Sequence, residues 1–264
     1  MELNLRGKTA FISGSTSGIG FATALTLLQE GASVIINGRN QEGINNALER
    51  LKSQFPQSNI NGIAADFSNP KEVQLLIEKL PNIDILINNV GIYKSQTFFE
   101  TTDDDWQNQM EVNLMSGVRL SRNLLPKMLE RNWGRILFIS SECASLVPED
   151  LIAYSTTKAS LLAISRGLAQ LTKGKGVTVN TIIPGSTLTE GAVDFLEDVA
   201  EKENKTKEVV ANDFFKEVRT SSLLQRFASV DEVASTITYY SSPLAAATNG
   251  AAIKIDGGSI GGIL

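Results

Sequence analysis

Short apolar runs alternate with longer amphipathic stretches along the whole chain. Residues 8–13 (KTAFIS), 33–36 (SVII), 60–65, 83–87, 136–139 (ILFI), 177–183 and 252–255 are short and rich in Ile, Val, Leu or Phe. Such runs, bounded by turn residues, read as buried strands. Between them lie helical stretches: one ending near residue 30, then 41–54, 73–80, 106–131, 154–172 and 230–241. Strand and helix in strict alternation predict an α/β fold: a central parallel sheet of about seven strands with helices on both faces. Right-handed crossovers make it doubly wound. No repeat, low-complexity segment or linker interrupts the pattern, so residues 1–264 read as one domain. Residues 186–222 differ, being charged and lacking a clear strand. Val210, Phe214 and Val218 at i, i+4 and i+8 predict an amphipathic helix, with a shorter one around Leu196 and Val199. A mobile lid and a plain surface hairpin both fit that segment.

The first strand runs into Gly14-Ser15-Thr16-Ser17-Gly18-Ile19-Gly20 and then a helix. A glycine-rich turn between strand and helix lets the backbone approach a pyrophosphate, and the helix N-terminus offers free N–H groups. This is the Rossmann arrangement for dinucleotides. The second strand ends Asn37-Gly38-Arg39-Asn40, with no acid to hold a ribose hydroxyl and with Arg39 placed for a 2′-phosphate. Asp66 closes the third strand, where it could hold an adenine amine or cap the next helix. Asn88 and Asn89 follow the fourth strand and need partners if buried.

After the fifth strand come Ser140 and Ser141, then Tyr154 with Lys158 four residues on. On a helix that spacing puts phenol and ammonium on one face. A positive charge beside a phenol lowers its pKa and makes it a usable acid or base. Asn113 sits inside a helical stretch, where spacing alone favours an exposed side chain.

Composition narrows the chemistry. The chain has no histidine and one cysteine, Cys143. Serine–histidine triads, histidine metal sites and multi-cysteine metal sites are excluded, so acid–base work falls to Tyr, Lys, Asp or Glu. A net charge of −5 gives no nucleic-acid footprint. No run is apolar enough for a membrane span, and the start MELNLRGKTA lacks a signal-peptide core. A cytoplasmic protein is expected.

Taken in order, SGSTSGIG (13–20), Asp66, NNVG (88–91), Asn113, Ser141, YSTTK (154–158), PGSTLT (184–189) and DGG (256–258) resemble the short-chain dehydrogenase/reductase family over essentially the full length. Ser13 and Val90 depart from its usual Thr and Ala. The resemblance implies Tyr154 as proton donor, Lys158 as its partner and ribose holder, Ser141 on the substrate oxygen, and Asn113 on a relay water. It implies cofactor contacts at Gly14, Ser15, Ser17, Gly18, Ile19, Gly20, Arg39, Asp66, Asn89, Gly91, Pro184, Gly185, Thr187 and Thr189, besides Tyr154 and Lys158. No metal is implied.

The expected function is reduction of a small-molecule carbonyl to an alcohol with NADP(H) rather than NAD(H), a 3-oxoacyl thioester being one candidate substrate. An NAD-dependent alcohol dehydrogenase and a non-catalytic dinucleotide sensor are the alternatives. The resemblance also implies a homotetramer.

Overall fold

The computed structural model describes residues 2–263. Its elements run β1 (Thr9–Ile12), α1 (Gly18–Gln29), β2 (Ser33–Gly38), α2 (Gln41–Gln54), β3 (Ile60–Ala64), α3 (Pro70–Lys79) and β4 (Ile85–Asn88). Then come α4 (Asp103–Met110), α5 (Ser116–Glu130), β5 (Gly134–Ile139), α6 (Cys143–Leu146), α7 (Ile152–Leu171) and β6 (Val177–Pro184). The chain closes with β7 (Thr187–Leu188), α8 (Glu190–Glu203), α9 (Lys207–Asp213), β8 (Ala228–Ser229), α10 (Val230–Tyr240) and β9 (Ala252–Ile255).

Seven strands form one parallel sheet in the order β3-β2-β1-β4-β5-β6-β9, and they are the seven that the apolar runs predict. β7 and β8 form a separate parallel pair that sequence pattern does not reveal. Strand alternation sorts the core into two layers. Ala10, Ile12, Val34, Ile36, Ile85 and Ile87 pack with Leu27 of α1, Ile44 of α2 and Val233 of α10. Phe11, Ile35, Leu86, Ile136 and Phe138 face the other way, onto Val73 of α3, Leu120 and Leu124 of α5, and Leu161 of α7. From β3, at one edge, the chain crosses back to β4 beside β1. The strand order reverses between β1 and β4, and at such a point the strand C-termini open a crevice for a ligand.

Two predicted helices differ from expectation for one physical reason. The stretch predicted at 106–131 starts earlier, at α4, whose Thr102 and Asp105 form a reciprocal capping box. It is then interrupted by a π turn, Glu111–Met115, before α5. The second π turn, Phe214–Val218, follows α9. A π turn inserts a residue and rotates everything after it. The predicted stripe Val210, Phe214, Val218 is therefore broken: Val210 and Phe215 are buried, while Val218 is 58% exposed. Leu196 and Ala200 of α8 pack on Val210 of α9, giving residues 186–222 a small apolar cluster of their own. Among the described residues no helix is long and apolar enough to cross a membrane.

Candidate active site

The loops after β1, β4, β5 and β6 converge on the crevice. Gly14 follows β1 with φ +60°, and a Cβ there would stand 2.9 Å from the Val90 Cα. At Gly20 a Cβ would meet the Gly14 carbonyl oxygen at 2.4 Å. Only glycine permits so close a turn against α1. Val90, bulkier than the family's usual alanine, is thus a wall of this turn. Ser13 keeps the hydroxyl that threonine would supply: its Oγ accepts the Asn89 and Val90 N–H groups, both at 3.0 Å. The Asn89 amide donates to the carbonyls of Ser13 and Gly14 at 3.0 and 2.7 Å, so it ties β4 to the turn. Ser15 is fully buried and holds the turn from within. Its hydroxyl donates to the Ile12 carbonyl and accepts from Asn37 N–H. Ser17 is exposed as the N-cap residue of α1, and Ile19 is half-buried in its first turn.

The turn already holds an anion. Gly18 N–H donates to the Glu190 carboxylate at 2.8 Å, across 172 residues of sequence. A carboxylate at the free N–H groups of a helix start is the expected guest there, and a phosphate is another. Arg39 stands exposed just past β2 and makes no ion pair among the described residues. Asp66 is half-buried beyond β3, its carboxylate accepting from Ser68 N–H, while Asn69 provides the cap of α3. The residues therefore fit a dinucleotide: a glycine cradle, an anion-accepting helix start and a free arginine at the neighbouring strand end.

The catalytic candidates meet on the other side. Tyr154 lies in the first turn of α7, half-buried, and Lys158 is buried one turn on. The Lys158 ammonium donates to the Ile139 carbonyl at the end of β5, at 2.9 Å. It sits 5.6 Å from the centre of the Tyr154 ring. A Cβ on Gly91 would come within 3.1 Å of it, so the β4 loop closes over the amine. Ser141 Oγ accepts from Cys143 N–H at 3.2 Å, and its hydroxyl is near enough to the Tyr154 phenol to favour the ionised form. Ser140 turns inward and donates to the Lys158 carbonyl at 2.8 Å, fastening α7 to β5.

Asn113 corrects the sequence expectation of an exposed side chain. It is 2% exposed and lies in the first π turn. Its Oδ1 accepts from Ile92 N–H at 2.7 Å, and its Nδ2 donates to the Ile92 carbonyl and to Thr157 Oγ1. The π turn aims this amide at the β4 loop and α7, a placement a straight helix does not offer.

The electrostatics also depart from expectation. The i, i+4 pairing predicts a phenol pKa lowered by lysine. Instead burial pushes the Tyr154 phenol well above its ordinary value, with the nearby Ser141 hydroxyl opposing. Burial pulls Lys158 down to about 8. Spacing puts the two groups together but says nothing of desolvation, which dominates here.

Pro184 and Gly185 end β6, where Gly185 packs against the Asp256 backbone. Thr187 donates to the Gly185 carbonyl, and Thr189 caps α8. Sequence reasoning missed Glu142, Ser186 and Arg219. Glu142, next to Ser141, is buried and paired with Arg219 at 2.7 Å. A carboxylate just past a strand's C-terminal end was a usable signal; an arginine in the charged segment 186–222 carries none. Tyr93, exposed, packs edge-on to Tyr154 with ring centres 5.9 Å apart.

Comparison with known proteins agrees with this geometry. The family model for short chain dehydrogenase matches residues 8–200. The uncharacterized oxidoreductase YvaG of Bacillus subtilis (strain 168) is 45% identical over 98% of each chain. The 3-oxoacyl-[acyl-carrier-protein] reductase FabG of Aquifex aeolicus (strain VF5) is 31% identical over 98% of this chain and 99% of its own. Among solved structures, the L-sorbose reductase of Gluconobacter frateurii, complexed with NADPH and L-sorbose, superposes with a TM-score of 0.93 and 30% identity over both full chains. Sequence, fold and site agree: the chain is an oxidoreductase of the short-chain dehydrogenase family.

Proposed function

We propose that this protein reduces a small ketone to an alcohol with NADP(H). When bound, the cofactor supplies the hydride. Gly14, Gly18, Ile19 and Gly20 hold its pyrophosphate, with Ser15 bracing that turn from within and Ser17 at its mouth. Arg39 takes the 2′-phosphate, Asp66 and Asn89 the adenosine side, and Gly91 with the Pro184–Thr189 loop the nicotinamide side. The NADPH complex of the full-length structural neighbour supports this assignment.

The observation that carries the reading is the Tyr154 ring with the buried Lys158 amine 5.6 Å from its centre, beside the loop that carries Ser141. A hydroxyl and a phenol on neighbouring segments of one crevice can both reach one carbonyl oxygen. Ser141 donates to that oxygen and stabilises its developing charge. Tyr154 delivers the proton that completes the alcohol. A phenol pushed upward by burial stays protonated at neutral pH, the form that reduction consumes. Alcohol oxidation needs the phenolate, which the same burial opposes. Lys158 keeps the region positive below about pH 8 and holds the ribose hydroxyls. Asn113 fixes the β4 loop against α7 and positions a relay water.

The likeness to the Aquifex FabG supports a second substrate class, the 3-oxoacyl thioester. We also carry forward a homotetramer, which size-exclusion chromatography with light scattering checks. The decisive experiment is Tyr154→Phe with a ketone screen followed by NADPH absorbance. The variant should lose on the order of 10²–10⁴ in kcat while its Kd for NADPH stays within about twofold, the removed hydroxyl being only one contact among many. Near-normal turnover in the variant removes the proposed acid. Tight NADPH binding with no turnover on any carbonyl points to a sensor instead.

A further inference from the structure

Glu142 is 3% exposed, yet its carboxylate is only half satisfied. Oε1 accepts from Arg219 Nε at 2.7 Å and from Ser186 Oγ at 2.9 Å. Oε2 is buried and has no hydrogen-bond partner. Arg219 has donors to spare. Its side chain is 12% exposed, and beyond Nε its contacts are long: Cys143 Sγ at 3.7 Å and the Val218 carbonyl at 3.5 Å. A buried carboxylate oxygen without a donor is costly unless something else completes it, and the guanidinium beside it has N–H groups left to give.

Both groups adjoin the Ser141 turn. Glu142 follows Ser141 directly, and Cys143, which Arg219 touches, donates its N–H to Ser141 Oγ. The Glu142 charge is among those felt by the Tyr154 phenol. Ser186 belongs to the loop after β6, and Arg219 closes the second π turn within the charged segment 186–222. Three chain segments thus deliver one acceptor and a set of donors next to the reacting carbonyl.

We propose that Glu142 and Arg219 are the specificity pair of this site, selecting a neutral ketone that carries hydroxyl groups. The inference rests on the carbonyl-reductase reading and deepens it. A hydroxyl is the group that meets both demands, donating to Oε2 and accepting from the guanidinium. An alkyl ketone or an acyl chain leaves both unmet. A keto acid fares no better, because Glu142 already neutralises Arg219 and Oε2 faces the incoming anion. Sites built to hydrogen-bond a hydroxyl reject analogues lacking it far more strongly than apolar pockets reject an extra methylene.

The test compares kcat/KM with NADPH for 1,3-dihydroxyacetone and a ketohexose against 3-pentanone, 2-hexanone, levulinate and acetoacetyl-CoA. Hydroxyketones should lead by on the order of 100-fold or more. In Glu142→Gln that ratio should fall by about tenfold or more, since the amide removes the charged acceptor. NADPH binding, followed by nicotinamide fluorescence, reports whether the variant is folded. If it is not, Arg219→Lys keeps the charge, loses the fork and should lower the ratio in the same way. A wild type that prefers alkyl ketones, levulinate or the thioester overturns the pair's role and leaves the reductase reading standing. So does an unchanged ratio in a folded variant. NADPH binding with no ketone of any class reduced overturns both.

Discussion

Replacing Lys158 with methionine should remove activity and, near neutral pH, relieve a strain on the fold. The amine is 4% exposed, and its one hydrogen bond is to the Ile139 carbonyl. Burial lowers its pKa from 10.5 to about 8. Between those values the unfolded chain binds more protons than the folded one, so wild-type stability rises with pH through this window. Lys158's contribution is fully present above about pH 10.5 and lost as pH falls through about 8. At 1.36 kcal/mol per unit, the penalty at neutral pH is about 3 kcal/mol, of which about 2 is relieved by roughly pH 9.5. Methionine has nothing to protonate, but it leaves the Ile139 carbonyl without its donor, a loss of about 1–3 kcal/mol at any pH. The absolute change at one pH is therefore small, and the pH dependence is the measurement. Thermal melts of wild type and Lys158→Met, without added cofactor, should be run at about pH 7 and about pH 9.5. Other titrations cancel in the difference. The variant's advantage should shrink by about 2 kcal/mol at the higher pH, a change of roughly 4–8 °C in the Tm difference. A difference that does not move with pH refutes the reasoning: the amine would then keep its ordinary pKa in the folded protein.

Two other outcomes concern the cofactor side. Arg39→Ala should weaken NADPH by roughly 10- to 100-fold, the loss of charge-assisted hydrogen bonds to a phosphate, and leave NADH nearly unchanged. Equal weakening of both, measured by fluorescence titration, removes Arg39 from the 2′-phosphate. Glu190→Gln removes the charge now resting on Gly18 N–H at 2.8 Å. A phosphate approaching that N–H then meets one negative charge fewer, so NADPH should bind roughly three- to tenfold tighter at low salt, the gain shrinking as salt is added. Unchanged or weaker binding means that this carboxylate does not compete with the cofactor.

The sequence carried what depends on period, order and local turn chemistry. The seven strands announced themselves as apolar runs because a parallel strand is buried on both faces. The glycine turn was legible because only glycine tolerates the positive φ and close approach at Gly14. Tyr154 and Lys158 were legible as neighbours because helical spacing fixes which residues share a face. What failed to show were quantities set by three-dimensional surroundings. Desolvation reversed the expected shift at Tyr154, since no spacing encodes what covers a side chain. Asn113 read as exposed because a π turn has no sequence signature, yet that turn is what buries the amide between Ile92 and Thr157. Phe215 replaced Val218 on the buried face for the same reason. Glu142 and Arg219 lie 77 residues apart and meet only through the fold.

Among the described residues seven buried side-chain polar atoms lack a partner, and two of them stand at strand C-termini. Asn88 Oδ1, at the end of β4, and Glu142 Oε2, just past β5, are both buried without partners. Lys158, next to the end of β5, has one partner for three donors. Such groups oppose folding, and elsewhere the same chain satisfies far more demanding ones. The Arg135 guanidinium, buried in mid-sheet, donates to the carbonyls of Ser242, Gly134 and Gly176 and lies against the Trp133 ring. A sequence able to give a buried arginine three carbonyl partners is not short of acceptors. That it leaves the Glu142 carboxylate oxygen open just past the C-terminal end of β5, where the sheet's topology opens a crevice, argues that its partner arrives with a ligand. On this view the polar atoms a fold leaves unmatched describe the hydrogen-bonding face of its substrate, and Glu142 Oε2 asks for a donor such as a hydroxyl.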